Sequence, residues 1–141
     1  MLDPATGLFT NAAFLRDLQR AIEEAKESGG TLSLARFSFP EEIDHRSNAD
    51  AARLVSRLVR AADFACQASD GSILVTFSGT ALRNAHVVAR RIASVLKHTM
   101  VTSEADQGHT NPSITLACLK SSDTVESLLG RVSDPAAVAA E

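Results

Sequence analysis

Phe64-Ala65-Cys66-Gln67-Ala68-Ser69-Asp70-Gly71-Ser72-Ile73-Leu74-Val75-Thr76-Phe77 places two short apolar runs around a polar tetrad. Asp-Gly between β-prone flanks is a hairpin signal, because glycine accepts the positive φ that a tight turn needs. The stretch therefore predicts strands over 64–68 and 73–77, joined through Ser69 to Ser72. Upstream, Phe14, Leu15, Leu18, Ile22 and Ala25 recur at helical spacing from Asn11. Thr10 or Asn11 can cap that helix, and Gly29-Gly30 ends it. Residues 31–39 read as a buried strand whose apolar parity changes between Leu34 and Phe37. Either a bulge or cover on both faces accounts for that change.

A polar, acidic loop is expected over 40–48. A second helix follows, with Leu54, Val55, Leu58, Val59 and Ala62 on one face and Arg53, Arg57 and Arg60 among its exposed positions. A third, over 81–98, is expected to bury Leu82, Ala85, Ala89, Ile92 and Leu96. After a loop over 102–111 come a strand at 113–119 and a short helix at 124–132. Residues 1–10 read as an opening turn and linker, and the Ala-rich 134–141 as a frayed tail. Without the first helix the order is strand, helix, strand, strand, helix, strand. That is the ferredoxin-like βαββαβ core of an α/β (α+β) protein, a mixed, mainly antiparallel sheet flanked by helices.

Composition agrees with a single domain. The 141 residues are 45% hydrophobic and 22% charged, which excludes disordered, collagenous and coiled-coil chains. No apolar run reaches the length of a membrane span and no signal peptide opens the chain, so no membrane insertion is expected. Cys66 and Cys118 have neither metal nor redox spacing and read as reduced, strand-borne apolar residues. The net charge of −3 argues against nucleic acid as a partner. Its distribution is uneven: between Arg46 and Met100 eight bases face three acids, +5 there and −8 elsewhere. Solvated helix faces account for this on charge alone, and an anionic small ligand is the sharper alternative. His45, His86, His98 and His109 are scattered, with no ligand spacing. Ser69 and Ser72 have no positioned base, which leaves nucleophilic catalysis without support.

Asp3-Pro4-Ala5-Thr6-Gly7-Leu8, followed by Phe14 and Leu15, resembles the opening motif of GGDEF domains, the diguanylate cyclase family; Ala5 and Thr10 depart from its Leu and Asn. Arg60-Ala61-Ala62-Asp63 matches the family's R-x-x-D motif at its usual distance before the signature hairpin. Ser69-Asp70-Gly71-Ser72-Ile73 stands where G-G-[DE]-E-F is found. Ser78-Gly79-Thr80, Ala89-Arg90-Arg91-Ile92 and Ser113-Ile114-Thr115-Leu116-Ala117 follow the family's later pattern, so the resemblance runs in order along nearly the whole chain.

The resemblance implies a GGDEF, nucleotide-cyclase-like fold, and its departures imply lost catalysis. Members hold GTP with two divalent metals on carboxylates at the end of the first strand and at the signature's third residue. Here those positions carry Arg36, Ser38 and Gly71, with Ser72 where a glutamate follows. The segment from Arg36 to Arg60 is shorter than usual, and the guanine-reading Asn and Asp have no clear counterparts. The late Lys and Arg are missing from 133–141. No catalytic residue, metal, magnesium or other cofactor is therefore expected.

Arg60, Asp63 and Arg91 remain as a site of the inhibitory type, which in the family binds cyclic di-GMP. Arginine presents a planar fork to phosphate or guanine, and the aspartate can accept from guanine N–H groups. A local Arg–Asp ion pair at a helix end is the competing account of the same residues. The expectation is a catalytically inactive, cytoplasmic bacterial signalling domain that receives cyclic di-GMP. Its partners would be neighbouring domains of the parent protein or a second copy of itself. A ligand-free interaction or dimerisation module is the alternative, and a GTP binder without turnover the third reading. The chain begins at the opening motif, where members join sensor or receiver domains. An excised domain with Met1 added as its start is thus expected.

Overall fold

The computed structural model describes residues 2, 6–39, 45–60, 63–100 and 112–132. Eight elements follow in order: α1 (Asn11–Ser28), β1 (Leu32–Ser38), α2 (His45–Leu58), β2 (Phe64–Gln67), β3 (Ile73–Ser78), α3 (Leu82–Met100), β4 (Ser113–Cys118) and α4 (Val125–Val132). The strands form one sheet in the order β2-β3-β1-β4. All three ladders are antiparallel, and the parallel contribution among the described residues is the isolated bridge Phe9–Cys66. The helix expected after an acidic loop starts earlier than its apolar pattern indicates, at His45, because polar residues fill its first turn. The loop expected at 102–111 and the tail at 134–141 lie outside the described residues.

Local chemistry sets the ends of α1. The Thr10 hydroxyl accepts from the Ala13 amide at 3.3 Å, satisfying one of the helix's orphan donors. Gly29 closes it in the left-handed region at φ 70°, where a Cβ would be strained. Thr124 and Ser127 cap α4 reciprocally, each backbone amide donating to the other's hydroxyl, at 2.8 and 3.2 Å.

The parity change in β1 resolves as cover on both faces. Its register with β3 and β4 is continuous from end to end, so no bulge is present. Leu32 and Leu34 point into one core with Phe14, Leu18, Ile22, Cys66, Ala117 and Leu128, under α1 and α4. Ala35 and Phe37 point into the other with Val55, Ile73, Val75, Phe77, Ala85 and Leu96, under α2 and α3. A strand covered on both faces carries apolar side chains at both parities.

Three apolar positions assigned to helix faces lie outside these cores: Leu15, Leu82 and Leu58, the last being the exposed final residue of α2. Leu15 is exposed, one residue off the Phe14-Leu18-Ile22-Ala25 stripe. Leu82 is also exposed: as the first residue of α3 it has no turn to cover it, and the buried stripe begins at Ala85. The opening segment docks on β2. The Phe9 amide donates to the Ala65 carbonyl at 2.9 Å, and its ring stacks on Phe64 at 5.6 Å between centroids. Both cysteines are free, and burial pushes the Cys66 thiol up to about 12. No helix among the described residues is long and apolar enough to cross a membrane.

Phe37 is wholly buried on the central strand, and its removal leaves a cavity that close packing cannot fill. Phe37→Ala should cost about 3–5 kcal/mol in urea denaturation with an unchanged m-value.

Candidate functional site

β1 and β3 run antiparallel, and each end of their ladder holds a polar cluster. At one end Ser33 and Leu32 pair with Phe77 and Ser78; at the other Arg36 and Phe37 pair with Leu74 and Ile73. The first end carries Arg60 and Asp63. The second carries Arg36 and the hairpin turn.

Arg60 follows α2, and Asp63 immediately precedes β2. Arg60 grips Asp63 with two parallel bonds, Nε to Oδ2 at 2.8 Å and Nη2 to Oδ1 at 3.1 Å. Nη2 also donates to the Thr80 hydroxyl at 3.0 Å, and Asp63 Oδ1 accepts from the Ser78 amide at 3.2 Å. The Asp63 side chain is only 1% exposed, while Arg60 is 58% exposed. Asp63, first by hydrogen bonding and then by charge, holds the Arg60 pKa above its ordinary value. Asp63 Oδ1 thus accepts twice and Oδ2 once inside the fold, and the carboxylate faces Arg60 rather than solvent. Arg91 stands exposed on α3 and makes no hydrogen bond to either residue among the described ones.

At the opposite end the Arg36 guanidinium spreads over three acceptors. Nε donates to Ser72 Oγ at 3.2 Å, Nη1 to Ser38 Oγ at 2.8 Å and Nη2 to Asp70 Oδ2 at 2.7 Å. Asp70 Oδ1 accepts from the amide and the hydroxyl of Ser72, at 3.0 and 2.6 Å. The Asp70 carboxyl is held below its ordinary value, first by the Ser72 hydroxyl. Burial opposes this, and the Ser72 amide and Arg36 reinforce it. Gly71 turns the chain at φ 90°, and Asn48 of α2 donates to its carbonyl at 3.1 Å. Gln67 in turn donates to Asn48 Oδ1 at 2.6 Å, which ties α2 to the hairpin. Asn48 and Gln67 escaped the sequence reading. The acidic-loop assignment covered Asn48, and a lone amide carries no local signal of its long-range partner.

These residues do not fit the divalent metals that the resemblance implies. The carboxylate at the turn already has Arg36 as its counterion, Gly71 offers no ligand, and Ser38 and Ser72 contribute neutral hydroxyls. A cation about 4 Å from a guanidinium meets a repulsion of about 4 kcal/mol per unit charge at a near-surface dielectric. Among the described residues no three of His, Cys, Asp and Glu form a group able to hold a metal ion.

A third cluster, absent from the sequence reading, joins α1, β4 and α4. Asp123 accepts from the Lys120 amide at 2.8 Å, from the Ser127 hydroxyl at 2.8 Å and from Arg131. Arg131 also donates to the Cys118 carbonyl at 2.7 Å, and Lys26 to the Asp123 carbonyl at 2.6 Å. These contacts join elements far apart in sequence, which gives the cluster a structural role.

A four-stranded antiparallel sheet in this order, with α2 and α3 on one face and α1 and α4 on the other, is a GGDEF-like fold. Solved structures place it there. The GGDEF domain of DgcB from Caulobacter crescentus, in complex with c-di-GMP, superposes with a TM-score of 0.79 at 22% identity, over 99% of this chain and 88% of that one. The FimX GGDEF domain from Pseudomonas aeruginosa gives 0.76 at 16% identity, over 93% and 88% of the two chains. The diguanylate cyclase SiaD from the same organism, in complex with its activator SiaC, gives 0.78 at 19% identity, over 93% of this chain and 54% of that one. No protein-family model matches the chain, and no curated protein matches it.

Asp123 supplies a pH test. Burial opposes its ionisation, but the Lys120 amide, Ser127 and Arg131 outweigh this and leave its pKa below the ordinary value. A depressed folded-state pKa adds stability that is complete above the unfolded value, about 3.9, and is lost as pH falls through the folded one. Asp123→Asn should therefore cost about 1–3 kcal/mol at neutral pH and lose less than the wild type on acidification. Urea denaturation over a descending pH series measures both effects.

Proposed function

We propose that this chain is a catalytically silent GGDEF domain that serves as a cyclic di-GMP receptor or regulatory module in bacterial signal transduction. The observation that carries this reading is the inverted exposure of the Arg60–Asp63 pair. The carboxylate is sunk in the fold and the guanidinium faces outward, so the site meets solvent as a positioned cation. Such a fork suits phosphate oxygens or the Hoogsteen edge of guanine. Arg60 contacts the ligand, Asp63 positions it, and Arg91 supplies a second guanidinium from α3 of this domain or of a neighbouring one. The DgcB GGDEF domain in complex with c-di-GMP supports the choice of ligand.

Silence in catalysis is supported by the other cluster, where Arg36 takes up the carboxylate of the signature turn. The same contact weighs against a GTP binder without turnover, because a phosphate would have to displace Asp70 from Arg36. The domain would act from the cytoplasm within a larger signalling protein, coupling ligand occupancy to its orientation against a neighbouring domain or a second copy. A ligand-free interaction module is the second reading. The closed hydrogen bonding of Arg60, Asp63, Ser78 and Thr80, which is satisfied without any ligand, favours it.

Calorimetry with cyclic di-GMP separates the two readings. The receptor binds in the micromolar range, and Arg60→Ala weakens binding about 10- to 100-fold, the worth of one charge-assisted hydrogen bond. A folded wild type that shows no heat at millimolar ligand sinks the receptor reading. Incubation with GTP and magnesium or manganese is expected to yield no cyclic di-GMP, and turnover there overturns the silent assignment.

A further inference from the structure

We infer that Arg36 is a built-in replacement for a metal ion: its side chain supplies, covalently and permanently, the positive charge that organises the hairpin turn. A cation at this end of the sheet needs oxygen donors arriving from both β1 and the turn. Arg36 collects that set, Ser38 Oγ from its own strand and Ser72 Oγ and Asp70 Oδ2 from the turn, all within 3.2 Å. Its side chain is only 14% exposed, so the charge lies under the turn and out of bulk water. The other Asp70 oxygen accepts twice from Ser72, so three of the carboxylate's roughly four acceptor directions are taken within the turn and by Arg36. From the α2 side, Asn48 closes on the Gly71 carbonyl. A Cβ at position 71 would stand 3.1 Å from Asn48 Oδ1 on a backbone at φ 90°, so a larger residue such as a carboxylate ligand would be strained there.

A site that has merely lost its metal leaves its carboxylate uncompensated and its turn loose. A site with the charge built in keeps the turn ordered and is indifferent to divalent cations. The hairpin is then a rigid surface feature at every metal concentration, whatever occupies Arg60. Binding at Arg60 is a separate question, since the two clusters lie at opposite ends of the β1–β3 ladder.

Amide hydrogen exchange of Gly71 and Ser72 in the intact chain reads this directly. In the wild type, millimolar Mg2+, millimolar Mn2+ or excess EDTA should leave those rates unchanged within about twofold. Arg36→Gln, which removes the charge but keeps a polar side chain, should speed them about tenfold or more while the β1–β3 ladder amides stay protected. Arg36→Asp should speed them likewise and should recover protection on addition of Mn2+, with Mn2+ uptake visible as loss of the free-ion electron paramagnetic resonance signal. Wild-type amides that gain protection from either metal overturn the inference, and so do Arg36→Gln rates equal to the wild type. If Arg36→Asp fails to fold, the wild-type and Arg36→Gln measurements decide the matter. Neither measurement uses a nucleotide, so a failed cyclic di-GMP titration leaves this inference standing, and the reverse holds too.

Discussion

The pairing of β1 on both edges, together with cover on both of its faces, is the constraint from which the arrangement follows. A central strand so enclosed has every backbone group committed and every side chain assigned to one layer or the other. A slip of one residue would drive Leu34 and Phe37 into the wrong cores and turn Arg36 to the opposite face. The register is therefore held by apolar burial of about 1.5–3 kcal/mol per large side chain. It is this register that brings Arg36 beside the turn and Ser33 beside Thr80, whose carbonyl accepts from the Ser33 hydroxyl at 2.8 Å.

Two arginine–aspartate pairs stand at the two ends of that ladder with opposite exposure. At the hairpin the guanidinium is sunk at 14% and the carboxylate is exposed at 56%. At the helix end the guanidinium is exposed at 58% and the carboxylate sunk at 1%. One interaction type thus produces two different surfaces. The first shows solvent a neutralised, closed turn, and the second a cation held in place from below. Coulomb attraction alone does not distinguish them. What differs is which partner has its further hydrogen bonds inside the fold: Asp63 accepts from the Ser78 amide at one end, and Arg36 donates to the Ser38 and Ser72 hydroxyls at the other.

Much of this was legible along the chain. The Asp-Gly turn, the 3.6-residue stripes of α1 and α3, Gly29 as a stop and the order of elements all depend on neighbours within a few residues. The pairing of Arg60 with Asp63 was legible for the same reason, being an i,i+3 contact. Leu15 misled because it stands beside its stripe, and Leu58 and Leu82 because they stand at a helix end that nothing covers. Asn48, the Arg36–Asp70 bond and the Asp123 cluster were out of reach. Their partners are 23, 34 and up to 97 residues away, and no local preference announces a contact of that span.

By itself the sequence determined the elements, their order, the GGDEF-like class they resemble and the absence of carboxylates from the expected metal positions, because these are matters of residue type and short-range spacing. Only the tertiary structure decided that β1 is covered on two sides without a bulge, that Asp63 is buried beneath an exposed Arg60, and that Arg36 bonds Ser38, Ser72 and Asp70 at the turn. The reason is physical. Burial and charge compensation are properties of the space around a side chain, and that space is made by strands and helices distant in sequence which meet only when the sheet closes.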